Sequence, residues 1–431
     1  MGTLDKSEAI RISTKLQANP VAPGVYSHFI NVGTNSIIDA LENHYFRGAM
    51  SVGISSFKYL QGYYGSGKTQ FIHSLAARAW QNSIVTSIAN IGIGCPFNSP
   101  LAIYQAVVSN MIPAPEPGKD PDDERGIEVV FRNYINQKLK QYGIASGKSI
   151  PPEIRQLIEQ PFTEMYIGAP DMQAAMALQQ LGKLMLDVAC GGATTPAAME
   201  IISWIRGDDV KSKYLREMGL HKPVKDDSAF NRLKTVILFM TKRMGMKGFL
   251  IAFDEGTRTV SFRRGSIKQK QAIENMLTMI NDGADDKFPG VMFLYAATPD
   301  FRNEVIQKYP ALNDRIGNIA FKPGSPIVPF IDLDSLDTRS IIREIGTRLL
   351  YVFSVAYGIQ WNHLIQSNNI ERLMLAEEKR FGIGSEIRRS FVFHFCILME
   401  EQKMAEFELS DTDAEKFLVD HVIPQSGDRM S

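Results

Sequence analysis

Between Phe57 and Trp80 the chain reads FKYLQGYYGSGKTQFIHSLAARAW, and this stretch leaves few choices of fold. A short β-prone piece, Phe57 to Leu60, runs into a glycine-punctuated turn that opens a helix. Gly62, Gly67, Lys68 and Thr69 satisfy the G-x-x-x-x-G-K-[ST] pattern, with Gly65 as a further glycine inside the turn. Glycines let the backbone bend sharply and aim successive N–H groups at phosphate oxygens. The helix start adds partial positive charge, Lys68 reaches the outer phosphates, and Thr69 offers a hydroxyl to Mg²⁺. Tyr64, Ser66 and Gln70 complete the candidate contact set. Behind the turn, Phe71, Ile72, Leu75, Ala76 and Ala79 form an apolar stripe at helical spacing, as a helix lying on a sheet needs. The pattern predicts ATP or GTP binding.

The totals narrow the remaining possibilities. A chain of 431 residues allows two or three domains, and 44% apolar content is enough to build real cores. Lys plus Arg and Asp plus Glu each number 47, so bulk charge does not drive nucleic-acid binding. Cys95, Cys190 and Cys396 lie far apart without a CxxC, which reads as thiols in a reducing compartment. The N-terminus lacks the apolar core of a signal peptide, and the longest apolar runs are about half of what a bilayer crossing needs. The expectation is a soluble cytoplasmic protein without membrane contact.

In chain order, residues 1–30 read as a polar N-terminal extension across the core surface, marked by Pro20, Pro23 and Gly24. An amphipathic helix with Ile37, Ile38 and Leu41 on one side follows, and Val32 and Gly33 before it are candidates for adenine contact. The first αβ part (31–112) has a second strand over Ser83–Ala89 and a helix over Leu101–Met111. A proline-rich joint leads into a mostly helical insertion (113–247). The αβ pattern resumes at GFLIAFDE, residues 248–255, inside a second core part (248–322). Five consecutive apolar residues suit a buried parallel strand, and ligands gather at the carboxyl ends of such strands. Asp254 is placed for Mg²⁺, directly or through water, and Glu255 for polarising an attacking water.

Beyond it, Arg258, Arg263, Arg264, Lys268 and Lys270 form a basic loop that suits DNA phosphates or a neighbouring subunit's acids. A third strand, Val291–Ala297, ends at Thr298, a candidate sensor of the terminal phosphate or attacking water. Arg315, with Arg302 as second choice, is a candidate to reach an adjacent subunit's nucleotide. KPGSPIVPF reads as a linker, and the remainder (323–431) as a helical lid. Arg388 and Arg389 stand at a helix start, against the helix dipole, where a lid could bring one over the phosphates. His394 reads as a core histidine.

This order of phosphate loop, Asp-Glu strand, Thr-ended strand and helical lid resembles the AAA+ class of P-loop ATPases. More narrowly, SFKYLQGYYGSGKT, WIRGDD at 204–209, GFLIAFDEGTR and FPGVMFLYAATPDF resemble the BREX ATP-binding protein family, BrxD type. The resemblance spans about residues 30–400 and implies a protein of an anti-phage system, with other defence-system proteins as partners. It implies an α/β AAA+ P-loop core with a large helical insertion, ATP at Gly65, Gly67, Lys68 and Thr69, and Mg²⁺ and water at Asp254 and Glu255. Members often have alanine after the Asp-Glu pair, where this chain has Gly256. The short tail leaves little room for a winged-helix DNA-binding domain. The expected activity is ATP hydrolysis, slow in an isolated monomer and completed in a homo-oligomer. The alternatives are an initiator- or transposition-regulator-like ATPase that assembles on duplex DNA, and a nucleotide-dependent scaffold with little turnover.

Overall fold

The computed structural model describes residues 4–422 except 19–22, 116–123, 146, 148–149, 165–167, 211–212, 258–264, 383 and 385–386. Its centre is a six-stranded sheet of β1 (Ser56–Gln61), β2 (Val85–Asn90), β3 (Met111–Ile112), β4 (Phe249–Asp254), β5 (Val291–Ala297) and β6 (Phe330–Asp332). The strand order is β3-β2-β4-β5-β1-β6, and the pairings are parallel except β2 with β3. One strand, β5, therefore separates the phosphate-loop strand from the strand bearing the acids.

The unbroken apolar runs follow from burial of both sheet faces. Successive side chains of a strand point to opposite faces. Leu250 and Ala252 of β4, with Met292, Leu294 and Ala296 of β5, join the cluster built on Phe71, Ile72 and Leu75 of the loop helix (Lys68–Gln81). Their neighbours Ile251, Phe253, Phe293 and Tyr295 join a second cluster on the other face. That second cluster also contains Phe131, Phe162, Leu178, Trp204 and Phe239 of the helical insertion. The insertion thus shares one apolar cluster with the sheet. Within it, Arg232 stacks 4.0 Å over the Trp204 ring and pairs with Asp171 at 2.8 Å, so a buried cation has both a π face and a carboxylate.

A third cluster is the C-terminal bundle of helices Thr338–Tyr357, His363–Phe381, Ile387–Glu401 and Asp411–Asp420. His394 is buried there, with Nδ1 2.6 Å from Glu377 Oε1 and Nε2 2.8 Å from the His421 carbonyl.

Three parts of the sequence reading change. The N-terminal helix Lys6–Ala18 does not lie over the nucleotide core, because Ala9, Ile12 and Leu16 bury in the C-terminal bundle. The helix expected to run to Met111 stops at Ser109, and Met111–Ile112 pair antiparallel with β2 as an edge strand. The segment read as a linker followed only by helices contributes β6, which pairs with β1 through Tyr59–Phe330, Leu60–Ile331 and Gln61–Asp332. Among the described residues no helix is long and apolar enough to cross a membrane.

Candidate nucleotide site

Strand register brings the motifs together. Gln61 pairs with Ala297 and Phe253 with Tyr295, so Gly62, Thr298 and the Asp254–Gly256 turn leave the sheet along one edge. Gly65 and Gly67 have φ of 85° and 96°, the left-handed region where a Cβ would be strained. A Cβ at Gly62 would collide with Ser66 Oγ and stand 2.9 Å from Ser66 Cβ. The loop can close only because this position has no side chain.

Lys68 is the first residue of the loop helix and turns its ammonium back into the loop. Its Nζ donates to the Gly62 carbonyl at 2.6 Å and the Tyr63 carbonyl at 2.9 Å, 5.6 Å from the centre of the Tyr64 ring. Burial pulls its pKa below the usual lysine value, and the carboxylates of Asp254, Asp334 and Glu255 oppose that shift. The ammonium is thus desolvated among acids before any phosphate arrives.

Thr69 Oγ1 donates to Asp254 Oδ2 at 2.5 Å, closing a contact across 185 residues of chain. The other oxygen, Oδ1, accepts the backbone N–H of Glu255 at 2.7 Å. Glu255 is exposed at φ 57°, an outlier for a residue with a Cβ, which typically stores about 1–3 kcal/mol of strain. The hydrogen bond to Asp254 holds that conformation. Gly256 next to it has no room for a Cβ, which would strike Tyr295 Cε1 and stand 2.7 Å from Cζ and 2.8 Å from the Ala296 carbonyl. Tyr295 fills the space, and its hydroxyl donates to the Gly256 carbonyl at 3.1 Å.

The donor set suits Mg²⁺. Mg²⁺ prefers hard oxygen ligands, keeps several waters, and is typically bound by one or two protein groups plus substrate phosphates. Thr69 and buried Asp254 provide two such oxygens side by side. No group of three or more His, Cys, Asp or Glu residues able to hold a metal occurs among the described residues, so a dedicated all-protein cage is absent from them.

The other predicted residues fall as follows. Thr298 is buried at the tip of β5, where its N–H donates to Thr257 Oγ1 at 2.9 Å and the two hydroxyls are 3.0 Å apart. Gln70 donates to the Ser27 carbonyl, fastening the loop helix to the segment that carries Val32 and Gly33. Val32 is buried, and Gly33 (φ 75°) turns its Cα toward Ile341 of the bundle, whose Cδ1 would lie 2.6 Å from an added Cβ. Arg388 is buried and donates to the Ser66 carbonyl at 3.0 Å, the Leu336 carbonyl at 3.1 Å and Thr338 Oγ1 at 2.9 Å. The bundle therefore grips the phosphate loop directly.

Arg315 is exposed at the end of the Pro310–Ile316 helix, with Nε 3.2 Å from Asn281 Oδ1. Arg302 has a different place. It is buried 4.1 Å over the Phe330 ring and donates to the Gly317 carbonyl and Asn318 Oδ1, which commits it to holding β6. Of the basic loop, Arg258, Arg263 and Arg264 lie outside the described residues, while Lys268 and Lys270 are exposed on helix Ile267–Ala284.

One residue beside the loop went unrecognised in the sequence. Asp334, two residues beyond β6, accepts the Tyr63 N–H with both oxygens, at 3.1 and 3.0 Å. The signal was present, since FIDLD is an apolar strand ending in acids like FLIAFDE, but the neighbouring prolines masked the strand.

A glycine loop on the tip of a central parallel strand, facing an acid-tipped strand one removed, defines a P-loop nucleotide-binding protein. More narrowly, the sequence model of the family described as "BREX system ATP-binding protein BrxC/D" matches residues 6–411, and the chain belongs to that family. It is thus an ATP-binding protein of BREX, an anti-phage defence system. A comparison with curated proteins found no significant match.

Proposed function

We propose that the protein is a Mg²⁺-dependent ATPase that drives a step of the defence response as part of a multi-protein assembly. The observation that carries this reading is the 2.5 Å contact of Thr69 with Asp254, which joins the start of the loop helix to the tip of the acid-bearing strand. Gly62, Tyr64, Gly65, Ser66 and Gly67 would present the loop backbone to the triphosphate, Lys68 would move from the loop carbonyls onto its outer oxygens, and Gln70 would steady the helix start. Thr69 and Asp254 would hold Mg²⁺, which when bound neutralises charge on the phosphates. Glu255, lifted off the strand by its left-handed backbone, would orient the attacking water, with Thr298 beside it. Val32 and Gly33 would border the base. Arg388 would tie bundle position to loop shape.

Arg315 is exposed and would leave Asn281 to serve a neighbouring copy in a homo-oligomer. Such an arginine supplied in trans typically accelerates phosphoryl transfer about 10³–10⁵-fold. Duplex DNA is a further candidate partner through the basic loop. The test is ATPase rate and assembly size for wild type, Lys68→Ala and Glu255→Gln, each with and without duplex DNA. The reading expects Lys68→Ala to lose nucleotide and Glu255→Gln to retain ATP in the larger assembly without turnover. Normal ATP binding by Lys68→Ala would overturn the site, and equal turnover by Glu255→Gln would overturn the mechanism.

A further inference from the structure

The peptide unit joining Gly62 to Tyr63 has a charge at each edge. Its carbonyl, on Gly62, accepts from Lys68 Nζ at 2.6 Å. Its N–H, on Tyr63, donates to both oxygens of Asp334 at 3.1 and 3.0 Å. The result is a line of alternating sign in which carboxylate and ammonium polarise the same amide. Asp334 is itself held in place: Leu333 N–H donates to the Gln61 carbonyl at 2.9 Å, and Asp334 N–H donates to Asp332 Oδ1 at 3.1 Å.

Glycine at one end makes this peptide easy to turn over, since rotation about its Gly62 flank meets little steric resistance. In the observed orientation the carbonyl faces the lysine. A triphosphate that draws Lys68 away removes the cation from that carbonyl, whose oxygen would then be repelled by phosphate oxygens if it swung toward them. Turning the peptide over would instead aim the carbonyl at the Asp334 carboxylate, a repulsion between two acceptors.

We propose that Asp334 is a positioning residue of the nucleotide site, holding the Gly62–Tyr63 peptide in the orientation that lets Lys68 leave for the phosphates without the carbonyl following it. This deepens the ATP-binding reading and rests on it. Asp334 accepts the Tyr63 N–H of the loop backbone, and its effect on nucleotide through that contact passes through the shape of the loop.

The test measures the affinity of full-length protein for a fluorescent ATP analogue, with thermal unfolding recorded on the same samples, for wild type, Lys68→Ala, Asp334→Ala and Asp334→Asn. Asparagine keeps an acceptor oxygen for Tyr63 N–H and removes the charge. The inference expects Asp334→Ala to bind about tenfold more weakly, the scale of one lost charge-assisted hydrogen bond. Asp334→Asn should stay within about threefold of wild type. Asp334→Ala that binds like wild type, or binds weakly only in proportion to its unfolded fraction, overturns the inference, as does Asp334→Asn falling as far as alanine. Failure of wild type itself to bind, or binding by Lys68→Ala, would instead overturn the ATP reading.

Discussion

Gly256 sits where a single methyl group should disturb the end of the acid-bearing strand. An added Cβ would lie 2.7 Å from Tyr295 Cζ and 2.8 Å from the Ala296 carbonyl, inside any normal contact, and both neighbours belong to buried β5. Tyr295 cannot swing aside, because its ring packs 5.0 Å from Phe97 and 5.1 Å from Phe301, centre to centre. Relief must come from backbone movement between β4 and β5. Overpacking of this kind typically costs about 1–3 kcal/mol, and a main-chain obstacle places Gly256→Ala toward the upper end, about 2–3 kcal/mol. Tyr295→Leu opens the space while losing the hydroxyl that donates to the Gly256 carbonyl. In that background the ring clash is gone while the Ala296 carbonyl stays, so the added methyl should cost about 1–2 kcal/mol. The assay is a denaturant-unfolding double-mutant cycle, which isolates a coupling of about 1 kcal/mol between the two positions. Nucleotide affinity followed on the same four proteins should fall with Gly256→Ala and recover in the double variant, since Asp254 and Glu255 move with the strand end. A Gly256→Ala protein as stable as wild type, or a cycle with no coupling, would refute the claim that Tyr295 dictates glycine here.

Three further outcomes follow from the same structure. Lys58 is fully buried, donates to the Pro326 and Val328 carbonyls and Tyr45 Oη, and burial lowers its pKa to about 7. The unfolded chain then holds the extra proton between about pH 7 and 10, so wild-type stability should rise relative to Lys58→Met by up to about 1.4 kcal/mol per pH unit there; an unchanged difference in pH-resolved unfolding would contradict this. Thr69→Val removes the hydroxyl that Asp254 holds, and should weaken ATP binding with Mg²⁺ about tenfold more than binding in EDTA, read by titration calorimetry. Arg388→Ala leaves the Ser66 and Leu336 carbonyls without that donor and should lower stability by about 2–3 kcal/mol, whereas Arg389→Ala, which lacks these contacts, should cost under about 1 kcal/mol.

How far the sequence could be read depended on how local the signal was. The phosphate loop and both buried strands are legible because glycine spacing and long apolar runs are properties of neighbouring residues. Burial of both faces also made β4 and β5 unmistakable, as every residue from Phe249 to Asp254 and from Val291 to Ala297 is buried. β3 and β6 have two and three residues, too short for a periodic signal, and β6 borrows its order from β1. The destination of the Lys6–Ala18 helix was hidden, since an apolar stripe states that a face is covered without naming the cover. The same holds for the tie between Arg388 and Ser66, which spans 322 residues. A charge placed against the helix dipole pointed to a task for that arginine, and only the packed bundle identifies its partner.

The common core of insertion and sheet sets a limit on dissecting this molecule. Removing residues 113–247 would take Phe131, Phe162, Leu178, Trp204 and Phe239 out of the cluster they share with Ile251, Phe253, Phe293 and Tyr295, uncovering apolar surface within it. Shortened versions that keep both motifs should therefore aggregate before they reveal anything about nucleotide, and the loop and the acid-tipped strand should be studied in a chain that retains the helices between them.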